Sequence, residues 1–403
     1  MGYAVYVGCQ WGMLVVLAKL GSPEMVGRFA LGLAITAPII LFANLGLRPY
    51  QATDAERRYD FGEYLALRLL STTAALLAVL CVVLLTGYGP ETALAVALVG
   101  VAKGFEAVSD IFYGLLQQRE RMDRVAKSMI FKGLLSLAGL AVAVYLTGSL
   151  VWGVVALAAA WALVLCFYDL RSGVAMLGGS FPRPRWGAGR LGTLALTTLP
   201  LGLAVVMTSL NANVPRYVVE GYLGTRELGI FAAMAYPVAA GATVVGALGQ
   251  SASPRLAKHY ASGDLRAFRA LLIKLLGVGA ALGGVGLLVA AVAGREILSL
   301  VYTPEYADHA NVFVWLMGAA GITYMASFVG FGMIAARKLR AQVPLFVGVI
   351  GVTAVSCLFL VPSLGLVGAA VGTMLGVVSQ LVGGGSVILR ALAASRGGEG
   401  TAG

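Results

Sequence analysis

The sequence predicts an all-α polytopic membrane protein, with about twelve transmembrane helices in two pseudo-symmetric six-helix bundles. Three observations carry this. The 403 residues are 59% hydrophobic and only 12% charged, with a mean hydropathy of +0.89, where soluble domains carry about 25% charged residues. The apolar residues come in blocks of roughly 20, the length that crosses a bilayer as a helix with its backbone hydrogen bonds closed internally. One phrase is also written twice, as LGSPEMVGRFA at 20–30 and as LGTRELGIFA at 223–232.

Taken in order, the spans lie near 3–19, 25–46, 64–86, 92–116, 128–147, 150–170, 192–214, 227–249, 268–293, 309–335, 341–361 and 365–389. The first is apolar and close to the start, but no basic region precedes it, so it reads as a retained span and not as a cleaved signal. The 54 Gly and 13 Pro fall inside many spans, which membrane bundles tolerate and soluble helices do not. In the last span Gly368, Gly372 and Gly376 form a small-residue ridge that lets a second helix approach closely.

Charge sets the orientation. With the N-terminus in the cytoplasm, the segments 47–63 with adjoining Arg68, 117–132, 171–190, 255–274, 337–340 and 390–396 hold 23 of the 29 Lys and Arg. The opposite side holds Lys19, Arg28, Arg216, Arg226 and Arg295, and Lys103 falls within a span. This is the positive-inside pattern, so both termini are expected in the cytoplasm. The net charge of +11 therefore reports topology and not nucleic-acid binding.

The doubled phrase extends beyond its core. Gln10 pairs with Asn213, Leu45-Gly46 with Leu248-Gly249, and Gly114-Leu115-Leu116 with Gly332-Met333-Ile334. The spacing repeats six spans, giving an N-terminal bundle at 1–170, a cytoplasmic linker at 171–191 and a C-terminal bundle at 192–403 with a short tail. Two such halves related by an axis along the membrane normal create a cavity that rocking opens to either side.

Other chemistries find little support. Cys9, Cys81, Cys166 and Cys357 all lie in apolar spans without pairing or metal spacing, and read as small buried hydrophobes. His259 and His309 lack a second ligand at helical spacing, so no metal site is expected. A Walker A sequence is absent.

The segment after the second span, LRPYQATDAERRYDFGEYLALRLL, lacks the Gly-Asp-Arg-Gly-rich signature of major facilitator proteins. Together with YVGCQWGMLVVLAKLGSPEMVGRFALGLAI, FYGLLQQRERMDRVAKSM, NVPRYVVEGYLGTRELGIFAAMAY and LGQSASPRLAKHYASGD, it resembles the polysaccharide transporter branch of the multidrug/oligosaccharidyl-lipid/polysaccharide (MOP, MATE-like) flippase superfamily. The similarity covers nearly the whole chain and is to Wzx-type oligosaccharide flippases. It implies movement of a polyprenyl-pyrophosphate oligosaccharide from the cytoplasmic to the periplasmic leaflet of a bacterial inner membrane, for O-antigen, capsule or exopolysaccharide synthesis. A polymerase and glycosyltransferases of the same pathway are implied partners. Members usually carry a polar or basic segment before the first span, so the natural start is expected upstream of Met1.

Moving such a lipid calls for fixed positive charge in a wet cavity, with hydrogen-bonding groups for sugars. Ionisable residues inside spans are costly and become the candidates. Arg216, in the outer half of span 7, is the leading pyrophosphate ligand, with Asn211 and Asn213 on sugar hydroxyls. Alternatively Arg216 pairs with Glu220 one turn on and only holds the helix end. Lys103, Glu106 and Asp110 share one face of span 4. They line the cavity, with Glu106, Asp110 and Glu220 as ion-coupling candidates, or else they neutralise one another. Lys19 and Arg28 form an exit-side rim or snorkelling anchors. Arg48 and Arg68 mark the cytoplasmic entrance, where attraction to anionic headgroups also accounts for them. Gln10 stands level with Asn213 as a sugar contact. Trp11, Tyr217 and Tyr222 are stacking surfaces or ordinary interfacial anchors.

The expected function is thus a non-enzymatic flippase working by alternating access. No cofactor is expected beyond coupling to an H+ or Na+ gradient or to the membrane potential. Two alternatives remain open on the residues alone: a cation-coupled multidrug exporter of the same superfamily, centred on Glu106 and Asp110, and a non-transporting scaffold for glycosyltransferases that would tolerate loss of the intramembrane charges.

Overall fold

The computed structural model describes residues 2–54, 56 and 58–397; Met1 and the end of the expected tail lie outside them. The elements run α1 (Gly2–Leu20), α2 (Pro23–Ala43), α3 (Leu47–Thr53), α4 (Phe61–Thr86), α5 (Pro90–Gln118), α6 (Met122–Thr147), α7 (Leu150–Val164), a π-helical turn (Leu165–Asp169), α8 (Leu170–Met176), α9 (Ala188–Leu223), α10 (Thr225–Ala261), α11 (Leu265–Val301), α12 (Pro304–Ala307), α13 (Ala310–Ala335), a 3₁₀ turn (Leu339–Ala341), α14 (Gln342–Leu364) and α15 (Leu366–Gly397). Among the described residues there is no strand.

Among the described residues eleven helices are long and apolar enough to cross a membrane. The pair Ala188–Leu203 and Val205–Leu223, bent by 41°, makes a twelfth if counted as one broken span. This is a multi-pass membrane protein of all-α class. Its surface agrees, since Leu85 is 85% exposed and Leu300 and Phe359 are each 76% exposed, which only a lipid solvent makes favourable.

Local chemistry sets the helix ends. Ser22 caps α2 by accepting the Met25 N–H at 3.4 Å, with Pro23 in the first turn. Asp60 and Glu63 form a reciprocal capping box at the start of α4. Gly87 and Gly148 close α4 and α6 in the left-handed conformation.

The chain divides into two compact units, Met1–Leu210 and Asn211–Gly403. In the first, α5 is the hub, packed against α2, α3, α4, α6, α7 and α8. The division falls inside α9, whereas the sequence reading places the linker at 171–191. The reason for the position inside α9 is local. Leu191 and Leu194 at the start of α9 join a core with Leu47, Tyr64, Leu67, Ile111 and Phe112. Arg190 pairs with Glu63 of α4, and the Arg185 N–H donates to the Gly62 carbonyl at 2.9 Å.

In the second unit α13 is central, packed on α10, α11 and α15, while α14 lies on α15. Leu256, Phe268, Leu272, Val329, Met333, Ile388 and Leu392 form its core. The glycine ridge sits where the sequence puts it. A Cβ on Gly368, Gly372 or Gly376 would stand 2.2 Å from the Leu360 carbonyl, 2.6 Å from Cys357 Sγ or 2.0 Å from Thr353 Oγ1. The two backbones meet where side chains are absent.

Candidate functional site

Polar residues recur along one stripe of α5, at Lys103, Glu106, Asp110, Tyr113 and Gln117. The steps of three and four keep them on one face. Their partners come from α1, α3, α4, α6 and α7, so the stripe forms the polar spine of the first unit.

At its upper end Lys103 Nζ lies 2.7 Å from Glu106 Oε2, with the two side chains 17% and 29% exposed. The ammonium also sits 5.1 Å over the Trp161 ring of α7, a cation–π contact. The Tyr6 hydroxyl of α1 donates to Glu106 Oε1. Gln10 lies one turn beyond Tyr6 and is half-buried.

One turn down, Asp110 serves two arginines. Arg48 Nη1 of α3 is 3.2 Å from Oδ1, and Arg68 Nη2 of α4 is 3.2 Å from Oδ2. Arg68 also donates to Asn44 Oδ1. Arg48 reaches Gln117 Oε1 at 3.4 Å and lies 5.5 Å over the Tyr113 ring. Arg68 is 0% exposed. The expectation that it meets lipid headgroups is therefore corrected. The sequence places Arg68 beside a charged loop, but two turns into α4 its side chain turns inward to a carboxylate.

The same stripe holds a site that sequence reasoning missed. Lys132 of α6 and Asp169, at the end of the π turn, pair at 3.2 Å with 2% and 0% exposure. Lys132 Nζ donates to the Tyr113 hydroxyl at 3.0 Å. Ser128 Oγ donates to Asp169 Oδ1 at 2.5 Å and lies 2.7 Å from the Tyr113 hydroxyl. With the serine proton committed to the carboxylate, tyrosine donates to serine, and the four groups close a ring. The π turn inserts an extra residue into the helix next to the position from which Asp169 faces this ring. Lys132 was counted among loop cations because RERMDR precedes it. The available signal was Ser128, Lys132 and Ser136 at i, i+4 and i+8 in the otherwise apolar stretch 128–144.

In the second unit, Arg216 Nη1 donates to Asn213 Oδ1 at 2.9 Å within α9. Asn213 is 4% exposed and Arg216 half-buried. Asn211 Oδ1 accepts from Thr353 Oγ1 of α14 at 2.9 Å, and Glu220 lies one turn beyond Arg216, half-buried. Thus Gln10, Arg48, Lys103, Glu106 and Asp110 gather around the α5 spine, while Asn211, Asn213, Arg216 and Glu220 share α9. The remaining two lie apart: Arg28 pairs with Glu91 at the start of α5, and Lys19 ends α1, exposed. Trp11 and Tyr222 are exposed, at 36% and 56%. Among the described residues no group of three His, Cys, Asp or Glu is placed to hold a metal ion.

This fold is shared with solved transporters. A multidrug resistance MATE family transporter of the MOP superfamily, in an inward-facing conformation, superposes with a TM-score of 0.77 at 14% identity, over 99% of this chain and 96% of that one. The lipid II flippase MurJ gives 0.70 at 12% identity, over 98% and 90%. A MOP superfamily transporter from Pyrococcus furiosus, described by a reversed polarity of its binding pocket, gives 0.61 at 13%, over 98% and 95%. In sequence, the chain is 27% identical over 369 residues to the capsular polysaccharide biosynthesis protein CapF of Staphylococcus aureus, covering 90% of each. Residues 2–259 match the polysaccharide biosynthesis protein family, and the chain belongs to that family.

Proposed function

We propose that the protein is a flippase for a lipid-linked polysaccharide precursor, a polyprenyl-pyrophosphate oligosaccharide carried from the cytoplasmic to the outer leaflet of a bacterial inner membrane. Family membership supports the pathway, and the MOP fold supports the mode. The observation that carries the reading is the charge balance of the α5 spine. Its interior holds four cations, Arg48, Arg68, Lys103 and Lys132, against three carboxylates, Glu106, Asp110 and Asp169, and each carboxylate is paired with a cation. Such a spine favours an anionic passenger. An exporter of organic cations needs carboxylates available to its cargo, so the multidrug reading is the weaker one.

In this mechanism both termini are cytoplasmic and the path of the passenger opens alternately to the two sides of the membrane. Fixed cations offset the cost of bringing a diphosphate past hydrocarbon, and the polyprenyl tail stays in lipid. Arg216, with Asn213 and Asn211, offers a guanidinium and amides to diphosphate and sugar. Gln10 adds a sugar contact, with Arg28 and Lys19 at the exit. No bond is made or broken, so no enzymatic activity is assigned. Energy comes from an H+ or Na+ gradient or the membrane potential, with Glu106 and Glu220 the coupling candidates. The product feeds a polymerase. Deleting the gene in its host tests the reading: surface polysaccharide is lost and lipid-linked oligosaccharide accumulates in the inner leaflet. Surface polymer at the parental level would contradict it.

A further inference from the structure

We propose that Arg48 and Arg68 form an anion site that Asp110 occupies as a built-in stand-in, and that the diphosphate of the passenger lipid displaces Asp110 from Arg48. The identity of that lipid rests on the flippase reading above.

The geometry is unlike the other two pairs on the spine. Lys103–Glu106 and Lys132–Asp169 each match one cation to one carboxylate. At Asp110 two guanidinium groups from two helices converge on one carboxylate, one oxygen each. The other partners shown there, Asn44, Gln117 and the Tyr113 ring, orient the arginines but carry no charge. One positive charge at this junction is therefore left without a negative one.

The fit is also loose. Both contacts are single and 3.2 Å long, against about 2.7–2.9 Å for a well-made charge-assisted bond. A carboxylate has two oxygens and cannot offer a paired edge to both forks. A diphosphate has more oxygens, and two or more negative charges. Arg68 Nε, buried, has no hydrogen-bond partner among the described residues, so one donor of the fixed arginine is still unspent.

The two arginines differ in freedom. Arg68 is 0% exposed and held by Asn44, which makes it a fixed positioning group. Arg48 and Asp110 are 25% and 24% exposed. Arg48 stands on the seven-residue α3, entered through left-handed Leu45 and Gly46. Exchange of partners therefore occurs at Arg48. With no passenger, Asp110 screens the cations from weaker anions. When the passenger leaves, Asp110 re-forms the pair and competes against rebinding. A phosphodiester headgroup of an anionic phospholipid offers related oxyanion chemistry with a single charge.

The test uses the full chain in phosphatidylcholine nanodiscs, with inorganic pyrophosphate as probe and isothermal titration as readout. Asp110→Asn is expected to tighten pyrophosphate binding at least tenfold, and Arg48→Gln to abolish binding in both the wild-type and Asp110→Asn backgrounds. Unchanged or weaker binding by a monodisperse Asp110→Asn protein overturns the inference. In wild-type protein labelled with ¹³C-aspartate, added pyrophosphate is expected to shift a carboxylate stretch in the infrared difference spectrum. No shift overturns the inference whether or not the variant folds. In discs containing phosphatidylglycerol the tenfold gain is expected to persist, and its disappearance would make the headgroup the occupant and overturn the assignment to the passenger. Tightening without transport of the lipid-linked substrate would sink the flippase reading and leave the site standing; transport without tightening would do the reverse.

Discussion

Lys132 and Asp169 face each other at 3.2 Å with 2% and 0% of their side chains exposed, inside a bundle whose outer face is leucine and valine. A buried pair of this kind contributes little net stability compared with well-packed apolar residues, but losing one member leaves an uncompensated charge. Lys132→Ala or Asp169→Ala should therefore destabilise the first unit by about 3–5 kcal/mol. Lys132→Met with Asp169→Leu should recover most of that loss. Thermal unfolding in detergent, followed on all four proteins, checks it. A double variant no more stable than the singles would show that the ring through Tyr113 and Ser128 matters more than the charge balance.

Glu63 and Arg190 predict how the segment before α9 is held. Glu63 is 8% exposed and Arg190 60% exposed, so the pair itself is worth little after screening. Glu63 also completes the Asp60 capping box, and losing a cap costs about 1 kcal/mol. Glu63→Ala should mainly release the segment, so that trypsin cuts after Arg185 several-fold faster. An unchanged digestion rate would mean that Leu191 and Leu194 hold it alone.

Gly376 predicts a packing limit. Its added Cβ would stand 2.0 Å from Thr353 Oγ1, the hydroxyl that donates to Asn211. Gly376→Val should cost about 1–3 kcal/mol by overpacking and disturb Asn211 as well. Gly385→Ala is the control, since its Cβ meets nothing within 4 Å. Melting temperatures should separate the two; equal values would contradict the close approach of α14 and α15.

How much of this could be read from sequence follows from which signals are local. The succession of spans was legible because hydropathy over about 20 residues is a local property. The Gly368, Gly372 and Gly376 ridge was legible because helical spacing puts the three glycines on one face. The shared face of Lys103, Glu106 and Asp110 was legible for the same reason. Partner choice was not, because it depends on which helices pack together. Sequence could offer Asp110 to Lys103, but only the fold brings in Arg48 and Arg68 from α3 and α4. Arg68 and Lys132 were misplaced because they lie about two and three turns from a cationic loop, where composition cannot tell an inward side chain from an outward one. The π turn that carries Asp169 leaves no compositional mark.

Under the proposed flippase reading, Arg216 bears most directly on transport. It donates to Asn213 and lies within a span, where an intramembrane guanidinium persists for function more often than for stability. The decisive measurement places the purified protein in liposomes with a fluorescent polyprenyl-pyrophosphate oligosaccharide, reads its leaflet with an impermeant quencher, and runs ethidium transport in parallel. The account predicts protein-dependent movement of the lipid and none of ethidium, and a rate at least tenfold lower in a folded Arg216→Ala protein. Ethidium movement without lipid movement would contradict the central claim.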